Sequence, residues 1–339
     1  MLTYGDNEET LATIKSHQLN KHPDVSVVVP LYNESENIVM FLNSLLPVMD
    51  NIGYNYEILL VNDGSSDDTW SIIQLAAKKY SPVKGISLSR NFGHQNALFA
   101  GLNVAKGQAI ISMDGDLQHP PSVLPKLLEQ WRKGYKVVTT KRIYSKNTPW
   151  LKRITSKLFY RIFSKLSGLE MSEGSSDFRL IDRCILIPMI SIRDNNLFLR
   201  GITNWLGFPS IQIEFTAPER FAGESKYNLV KMIQFSLDAV ISFSITPLKI
   251  GVWLGFFTSL LAIVEIIYIL IVYFSGGTIA GWTSVMVFMS IMFSILFFMI
   301  GLLGLYIGSV IEMSKKRPRF IISEATDYKS LDSDIIHSQ

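Results

Sequence analysis

The chain has 339 residues, a formal net charge of +3 at pH 7 and a mean hydropathy of +0.24. This length allows one large domain or two smaller ones, and so small a net charge gives no electrostatic ground for binding nucleic acid. The single cysteine, Cys184, excludes an intrachain disulfide and fits a reducing compartment. Residues 1–23 are polar and lack the apolar run of a signal peptide, so we expect a polar extension before a cytoplasmic domain.

From Asp24 onward, short apolar runs alternate with stretches of helical period. The predicted strands are Val25–Val29, Ile58–Val61, Val83–Leu88, Ala109–Met113 and Val137–Thr140. The predicted helices are Glu34–Met49, Asp67–Lys79, His94–Ala105 and Pro121–Lys133. Alternation of this kind is typical of an α/β domain with a mostly parallel sheet and helices on both faces, here over residues 24–227.

A polar loop follows each of the first four predicted strands. The loops are residues 30–34, 62–67, 89–94 and 114–121. In parallel α/β sheets ligands bind outside the carboxyl ends of the strands, so we expect the site there. The sequence contains neither Gly-x-Gly-x-x-Gly nor Gly-x-x-x-x-Gly-Lys-Ser/Thr, which argues against a dinucleotide fold or a P-loop.

Asp114 and Asp116 close the fourth strand, where paired carboxylates suit a divalent cation that holds a diphosphate. Each loop alone is a weak signal, because Asn-Asp-Gly-Ser is a common turn and an isolated Asp-x-Asp is more often structural. Four polar loops after four successive strands are far more specific.

Two apolar runs, Ile250–Phe274 and Trp282–Ile311, each exceed the roughly 20 residues that cross a hydrocarbon core. Glu265 is the only charged residue from 250 to 311, and it either serves a lipid path or subunit contacts or is tolerated at a helix–helix interface. Basic residues flank both ends of this hairpin, which predicts that both ends face the cytoplasm. Two buried core helices are the alternative. If the two runs form a membrane hairpin, residues 312–339 are a cytoplasmic basic tail, with little pattern after Phe320.

Residues 228–249 mix an apolar stripe with polar side chains before the first run. The stripe consists of Leu229, Met232, Ile233, Leu237 and Val240. This spacing predicts either an amphipathic helix in the membrane interface or a packing helix that joins the domain to the hairpin.

Five segments of the chain are similar to inverting glycosyltransferases of family 2, in the subgroup of dolichol-phosphate mannose synthases and bacterial bactoprenol glucosyltransferases. They are residues 27–34, 61–65, 114–121, 177–180 and 220–227. The resemblance covers roughly residues 24–320. It implies a GT-A-like fold at the plasma membrane and transfer of a sugar from a nucleotide sugar to undecaprenyl or another polyprenyl phosphate, with anomeric inversion.

The resemblance also implies roles for single residues. A nucleotide pocket is expected from Pro30, Tyr32, Glu34, Asp63 and Asp114. Mg²⁺ or Mn²⁺ is expected on Asp114, Asp116 and Gln118, with Asp116 also counted as catalytic. Asp177 matches the family's catalytic base, although it would equally suit orienting Arg179. Apart from the resemblance, basic side chains must hold the acceptor phosphate against repulsion by the donor diphosphate, and we expect it on Arg200, Arg220 and Lys226, with Arg142 next.

The resemblance favours UDP-glucose as donor, followed by UDP-N-acetylglucosamine, a role in cell-envelope glycan modification, and a homo-oligomer such as a tetramer. A processive polysaccharide synthase is one alternative, but its Gln-x-x-Arg-Trp motif and additional spans are not found in this sequence. A catalytically inactive membrane adaptor or flippase partner is the other alternative. The aspartate pair and the late arginines argue against it.

Overall fold

The computed structural model describes residues 23–143, 175–192, 199–216, 246–275, 281–315 and 317–327. Arg220, Lys226 and residues 228–245 of the predicted juxtamembrane helix lie outside this part of the chain.

The described residues form eight strands and eight α-helices. The strands are β1 (Val25–Leu31), β2 (Tyr56–Asn62), β3 (Val83–Leu88), β4 (Ala109–Ser112), β5 (Val137–Ile143), β6 (Ser175–Asp182), β7 (Ser210–Thr216) and β8 (Ile322–Ala325). The helices are α1 (Ile38–Ile52), α2 (Thr69–Lys79), α3 (His94–Val104), α4 (Leu124–Arg132), α5 (Arg183–Ser191), α6 (Leu199–Trp205), α7 (Thr246–Phe274) and α8 (Trp282–Ser314). A short 3₁₀ turn, Pro121–Val123, precedes α4.

All eight strands join one sheet in the order β7-β5-β6-β4-β1-β2-β3-β8. Strand β1 is parallel to both of its neighbours, β2 and β4. The pairs β2–β3 and β5–β7 are also parallel. Strand β6 is antiparallel to β4 and β5, and β8 is antiparallel to β3. Helices cover both faces: α1, α2 and α4 pack in one apolar core, and α3, α5 and α6 pack in the other. The predicted mostly parallel α/β sheet is confirmed.

The parallel strands bring the four polar loops to one edge of the sheet. β1 pairs with both β2 and β4. β2 ends level with β1, since Asn62 lies opposite Leu31, whereas β4 ends opposite Val28, three residues before the end of β1. Two backbone bonds continue the pairing past the strand ends: Asp63 N–H donates to the Leu31 carbonyl oxygen (2.8 Å) and Met113 N–H to that of Val28 (3.1 Å). The aspartates of two loops are thereby placed beside the end of β1.

Two features of the domain differ from the sequence expectation. Helix α1 begins at Ile38 rather than Glu34, because the intervening residues form a turn bound to the neighbouring loop: Glu34 N–H donates to Thr69 and Ser35 N–H to Asp67. Strands β6 and β7 and helices α5 and α6 have no counterpart among the predicted elements.

The sequence after Phe320 has little pattern, yet residues 322–325 form a strand. Strand β8 pairs antiparallel with β3, with Ile86 opposite Ala325. Phe320, just before β8, is buried in the core that contains α3. The chain therefore returns from the apolar hairpin to complete the sheet.

Helices α7 and α8 are long and apolar enough to cross a membrane, over Thr246–Phe274 and Val287–Ser314. Only 6% and 0% of their most apolar windows are buried in the protein. This exposure argues against two core helices of a soluble protein, because such helices bury their apolar side chains.

Gly101 lets α3 lie close to β1 and β2. A Cβ atom added at Gly101 would lie 2.3 Å from Val28 Cγ1 and 2.8 Å from Val61 Cγ2. We predict that Gly101→Ala lowers the free energy of unfolding by about 1–2 kcal/mol, because the overpacking exceeds the roughly 1 kcal/mol that alanine gains in a helix. Chemical denaturation measures this change. Combined with Val28→Ala, the loss should be smaller than the sum of the two single losses, because each change makes room for the other. A more stable single variant would contradict the packing described.

Candidate active site

A tight turn at the end of β4 carries Asp114 and Asp116. Asp116 Oδ1 accepts from Gln118 N–H (3.1 Å), and Leu117 takes the left-handed conformation with φ of 62°. Such a φ is costly for a branched side chain and persists only where its surroundings enforce it. Gly115 has no room for a side chain, since a Cβ would lie 2.4 Å from Leu31 Cδ2. The turn is therefore fixed by packing against the end of β1.

His119 ties this turn to strand β6. Its Nδ1 accepts from Asp114 N–H (2.8 Å), so the ring proton is on Nε2, which lies 2.7 Å from Ser176 Oγ. The buried ring stacks on Phe178, with 4.9 Å between centroids. The His119 ring thus links the aspartate turn to the strand that carries Asp177.

Gln118 is buried, and its Oε1 accepts from Arg142 Nη1 (2.8 Å). The structure therefore brings Arg142 to the aspartate turn but directs the Gln118 oxygen toward the arginine. As a metal ligand, Gln118 stays a prediction.

Asp177 is buried between two arginines. Its Oδ1 accepts from Arg179 Nη2 (2.6 Å) and Arg200 Nε (2.9 Å), and its Oδ2 accepts from Arg200 Nη2 (2.7 Å). Arg179 is buried as well and also donates to Thr203 Oγ1 (3.1 Å), whereas the Arg200 side chain is 28% exposed. The cluster joins β6 to α6 and presents Arg200 at the surface of the site.

The electrostatics keep this carboxylate ionised. Burial alone would raise the pKa of Asp177, but the charge and hydrogen bonds of Arg200, together with the charge of Arg179, hold it well below its usual range. Burial lowers the pKa of the Arg179 guanidinium, and Asp177 opposes that effect. Because the pKa of Asp177 is depressed in the folded protein, the ionised carboxylate stabilises the fold. This contribution is fully present at pH values above the pKa of an aspartate in the unfolded chain, about 4, and is lost as the pH falls below that value.

The N-terminus of α3 lies between the aspartate turn and the arginine cluster. His94 Nε2 is 3.5 Å from Asp114 Oδ1, and the next side chain, Gln95, donates from Nε2 to Asp177 Oδ2 (3.2 Å). The partial positive charge of a helix N-terminus favours anions at this position. Sequence analysis assigned no role to His94 or Gln95, although His94 closes the third polar loop; only the fold brings them to the two acidic groups.

Asp63 shapes the loop before α3. Its two carboxylate oxygens accept from Phe92 N–H (2.8 Å) and Gly93 N–H (3.0 Å), and burial raises its pKa. Its neighbour Gly64, with φ of 61°, packs so closely on the loop that a Cβ would lie 2.3 Å from the Arg90 carbonyl carbon. Asp63 is 2% exposed, so its geometry serves the loop that delivers His94 and Gln95.

The first polar loop lies at the same edge of the sheet. Pro30 is buried within β1, whereas Tyr32 is 41% exposed. Glu34 Oε2 accepts from Asn37 (2.5 Å), and Asn33 N–H donates to Ser65 Oγ (2.9 Å), which interlocks this loop with the one after β2. The predicted nucleotide residues therefore border one edge, with Tyr32 as its most exposed aromatic side chain.

Asp114 and Asp116 fit a divalent cation that is shared with a phosphate-bearing ligand. Both are partly exposed, and carboxylate oxygens suit Mg²⁺ or Mn²⁺, with phosphate oxygens and water completing the coordination. Within the described ranges, no three His, Cys, Asp or Glu side chains converge to hold a metal by themselves.

Three buried side-chain atoms in the described part of the chain have no hydrogen-bond partner: Gln95 Oε1, Gln118 Nε2 and Arg179 Nε. All three belong to the groups around Asp114 and Asp177. Unpaired buried polar atoms are rare in folded proteins, so their concentration here distinguishes this region from the rest of the sheet.

The family described as "Glycosyl transferase family 2" matches residues 26–187. The uncharacterized glycosyltransferase YkcC of Bacillus subtilis is 37% identical over 91% of this chain and 95% of its own length. The prophage bactoprenol glucosyl transferase homolog of Escherichia coli is 38% identical over 88% of this chain and 98% of its own. A structure of glucosyl-3-phosphoglycerate synthase from Mycobacterium tuberculosis is 17% identical, covering 71% of this chain and 84% of that one, with a TM-score of 0.42.

These sequence similarities define the chain as a glycosyltransferase. The chain belongs to glycosyl transferase family 2. The resemblance carried by residues 27–34, 61–65 and 114–121 is thereby confirmed.

His119 provides a test of how the aspartate turn is held. We predict that His119→Phe, which keeps the ring stacking, lowers the free energy of unfolding by about 1–3 kcal/mol because Asp114 N–H loses its acceptor. His119→Asn, which places an acceptor near the Nδ1 position, should keep Asp114 N–H more protected from hydrogen exchange than His119→Phe does. Equal exchange at Asp114 in both variants would contradict the assigned tautomer.

Proposed function

We propose that this glycosyltransferase moves a sugar from a UDP-sugar to undecaprenyl or another polyprenyl phosphate at the membrane surface, with inversion at the anomeric carbon. The observation that carries the proposal is the pair of charged sites on either side of the α3 N-terminus. His94 contacts Asp114 on one side, and Gln95 contacts the Asp177–arginine cluster on the other. One site suits a metal-bound diphosphate and the other suits a phosphate anion.

On the donor side, Asp114 and Asp116 would hold Mg²⁺ or Mn²⁺ together with the diphosphate. The cation would offset the charge that develops on the leaving nucleoside diphosphate. Tyr32, Glu34 and Pro30 border the same edge and would form the nucleotide pocket. In this proposal Asp63 acts through the Phe92–Gly93 backbone that it binds, rather than by touching the nucleotide.

On the acceptor side, Arg200 would bind the lipid phosphate, with Arg142 next to the aspartate turn. Arginine suits this role because its planar fork matches phosphate oxygens. Two arginines around one aspartate leave a net positive charge in the cluster, which opposes repulsion between acceptor phosphate and donor diphosphate. Arg220 and Lys226 keep their predicted role as further phosphate ligands.

The proposed reaction needs no general base. The second pKa of a phosphate monoester is about 6, so the acceptor is largely a dianion near neutral pH. Its oxygen would form the new bond to the anomeric carbon while the bond to the UDP oxygen breaks on the opposite face. Asp177, fixed by both arginines, then orients Arg200 instead of removing a proton.

The membrane arrangement follows from the two apolar helices. We place the domain of residues 24–227, the predicted juxtamembrane segment and the tail 312–339 on the cytoplasmic side, with α7 and α8 as the hairpin. The juxtamembrane helix was predicted over 228–249, but α7 begins at Thr246, so residues 246–249 belong to the first long helix. Lys249 and Arg317 flank the hairpin on that side, in line with the positive-inside rule.

Relatives named bactoprenol glucosyl transferase, such as that of Shigella phage SfV at 36% identity, support a polyprenyl acceptor and glucose as the sugar. UDP-N-acetylglucosamine is the second donor to test, and the product would serve cell-envelope glycans.

The direct test is transfer of radiolabel from a panel of nucleotide sugars to undecaprenyl phosphate in the presence of Mg²⁺ or Mn²⁺. We predict lipid-borne label from UDP-glucose and a loss of at least about 100-fold in Asp116→Ala, because the charge on the leaving group is no longer offset. Asp68→Asn is the matched control: Asp68 is exposed and makes no side-chain capping bond among the described residues. Label in a polymer would favour the processive synthase, and no label from any donor would favour the inactive adaptor.

The role of Asp177 can be separated from that of a base by a double-mutant cycle with Arg200. We predict that Asp177→Asn and Arg200→Gln each lower kcat/KM for the acceptor by roughly 30-fold, about 2 kcal/mol, and that the double variant loses scarcely more. KM for the lipid phosphate should rise in both single variants, and the pH–rate profile should keep its shape. If the losses in kcat/KM of the two single variants multiplied in the double variant, and KM for the acceptor stayed unchanged in Asp177→Asn, Asp177 would instead be a catalytic base.

A further inference from the structure

The tail segment, defined here as residues 317–327, is bound to the same elements that form the site. Phe320 packs edge-on against Phe99 of α3 (6.3 Å between centroids), and the Arg319 guanidinium lies over the same ring (4.8 Å). The Ile321 carbonyl oxygen accepts from Ser89 N–H (2.9 Å), at the start of the loop that leads into α3. The tail thus contacts the helix whose first residues reach Asp114 and Asp177.

The tail segment is held at several points along its length. Arg319 Nη2 donates to the Ile192 carbonyl oxygen (2.7 Å) at the end of α5. Beyond Phe320, β8 pairs with β3, Trp70 Nε1 donates to Glu324 Oε2 (2.8 Å) and Gly85 N–H donates to Thr326 Oγ1 (2.9 Å). A buried ring combined with strand pairing fixes the register, so the tail cannot slide along the sheet edge without losing these contacts.

The chain between α8 and this anchor is short. Helix α8 ends at Ser314, and Phe320 is already buried in the domain. Six residues span at most about 22 Å. The apolar window Val287–Ser314 is about 42 Å long at 1.5 Å per residue, the thickness of a bilayer with its headgroups. A span made of this window would place Ser314 at headgroup level. The phosphate of a membrane-embedded lipid lies at that level too.

We infer that the tail segment holds the active site at a fixed height above the membrane, so that the phosphate of a lipid acceptor meets Arg200. The inference rests on the proposed function. From Phe99 to His94 is about 8 Å along α3, so the packed ring of Phe320 and one rigid helix connect the short linker after α8 to the site. The tail residues Arg319 and Phe320 act as positioning residues through α3, without touching the substrate.

A flexible spacer tests this role without disturbing the docked strand. A Gly-Ser insert of about 10 residues after Lys315 adds an average of roughly 17 Å of slack. The same insert after Asp327, beyond the tail segment, is the matched control. Initial rates are measured with undecaprenyl phosphate in lipid nanodiscs and with a short, water-soluble prenyl phosphate.

We expect the Lys315 insert to lower kcat/KM for the bilayer acceptor by about tenfold or more, because lengthening a tether lowers the effective concentration of the two sites. Transfer to the soluble acceptor should change less than about twofold, and the Asp327 insert should change neither rate. An equal loss with both acceptors would assign the tail a purely structural role, and an unchanged bilayer rate would overturn the inference.

The exposed Cys184 provides a readout that does not depend on catalysis. A dye on this single cysteine should show lower energy transfer to a headgroup-labelled lipid when the spacer follows Lys315, and unchanged transfer when it follows Asp327. If the wild-type protein glycosylates neither acceptor, the proposed function fails. The distance measurement still decides whether the tail sets the height of the domain, because an unchanged signal in the Lys315 variant would contradict it.

Discussion

The parallel pairing of β1 with both β2 and β4 is the constraint on which the site depends. It brings the loops that follow these strands to one edge of the sheet, and those loops carry Asp63 and the Asp114–Asp116 pair. Because the strands are buried and their register is set by packing on both faces, these loops have little freedom at their origins. The chemistry at the edge of the sheet is therefore positioned by the core.

The antiparallel strand β6 adds the second half of the site. Its pairing with β4 places Arg179 opposite Ser112, and Ser112 Oγ donates to the Asp177 carbonyl oxygen (2.5 Å). His119 makes a second link by bonding both Asp114 N–H and Ser176 Oγ. The groups proposed for the donor side and the acceptor side are thus linked through backbone and buried side chains.

The elements and site residues that could be predicted from the sequence are those that a local residue pattern identifies. The five apolar strand runs and the polar loops after them need only periodicity and turn residues to be recognised, and Asp114 and Asp116 stand in one short motif. Strand β8 has no such signal, because its four residues become a strand only through the edge of β3, far away in the chain. His94, Gln95 and His119 were missed for the same reason: their partners are set by tertiary contacts, and a lone polar residue in a loop has many possible roles.

Charge balance explains why an aspartate lies in a region proposed to bind an anion. Arg179 is 5% exposed, and a guanidinium buried that deeply needs a counter-charge when no acceptor is bound. Asp177 supplies it and, through Arg200, extends the same network to the surface of the site. Only part of the positive charge is then left for the acceptor phosphate. In the proposed reaction the phosphate that enters as a monoester dianion leaves as a diester with one negative charge, so the network binds substrate more strongly than product and favours release.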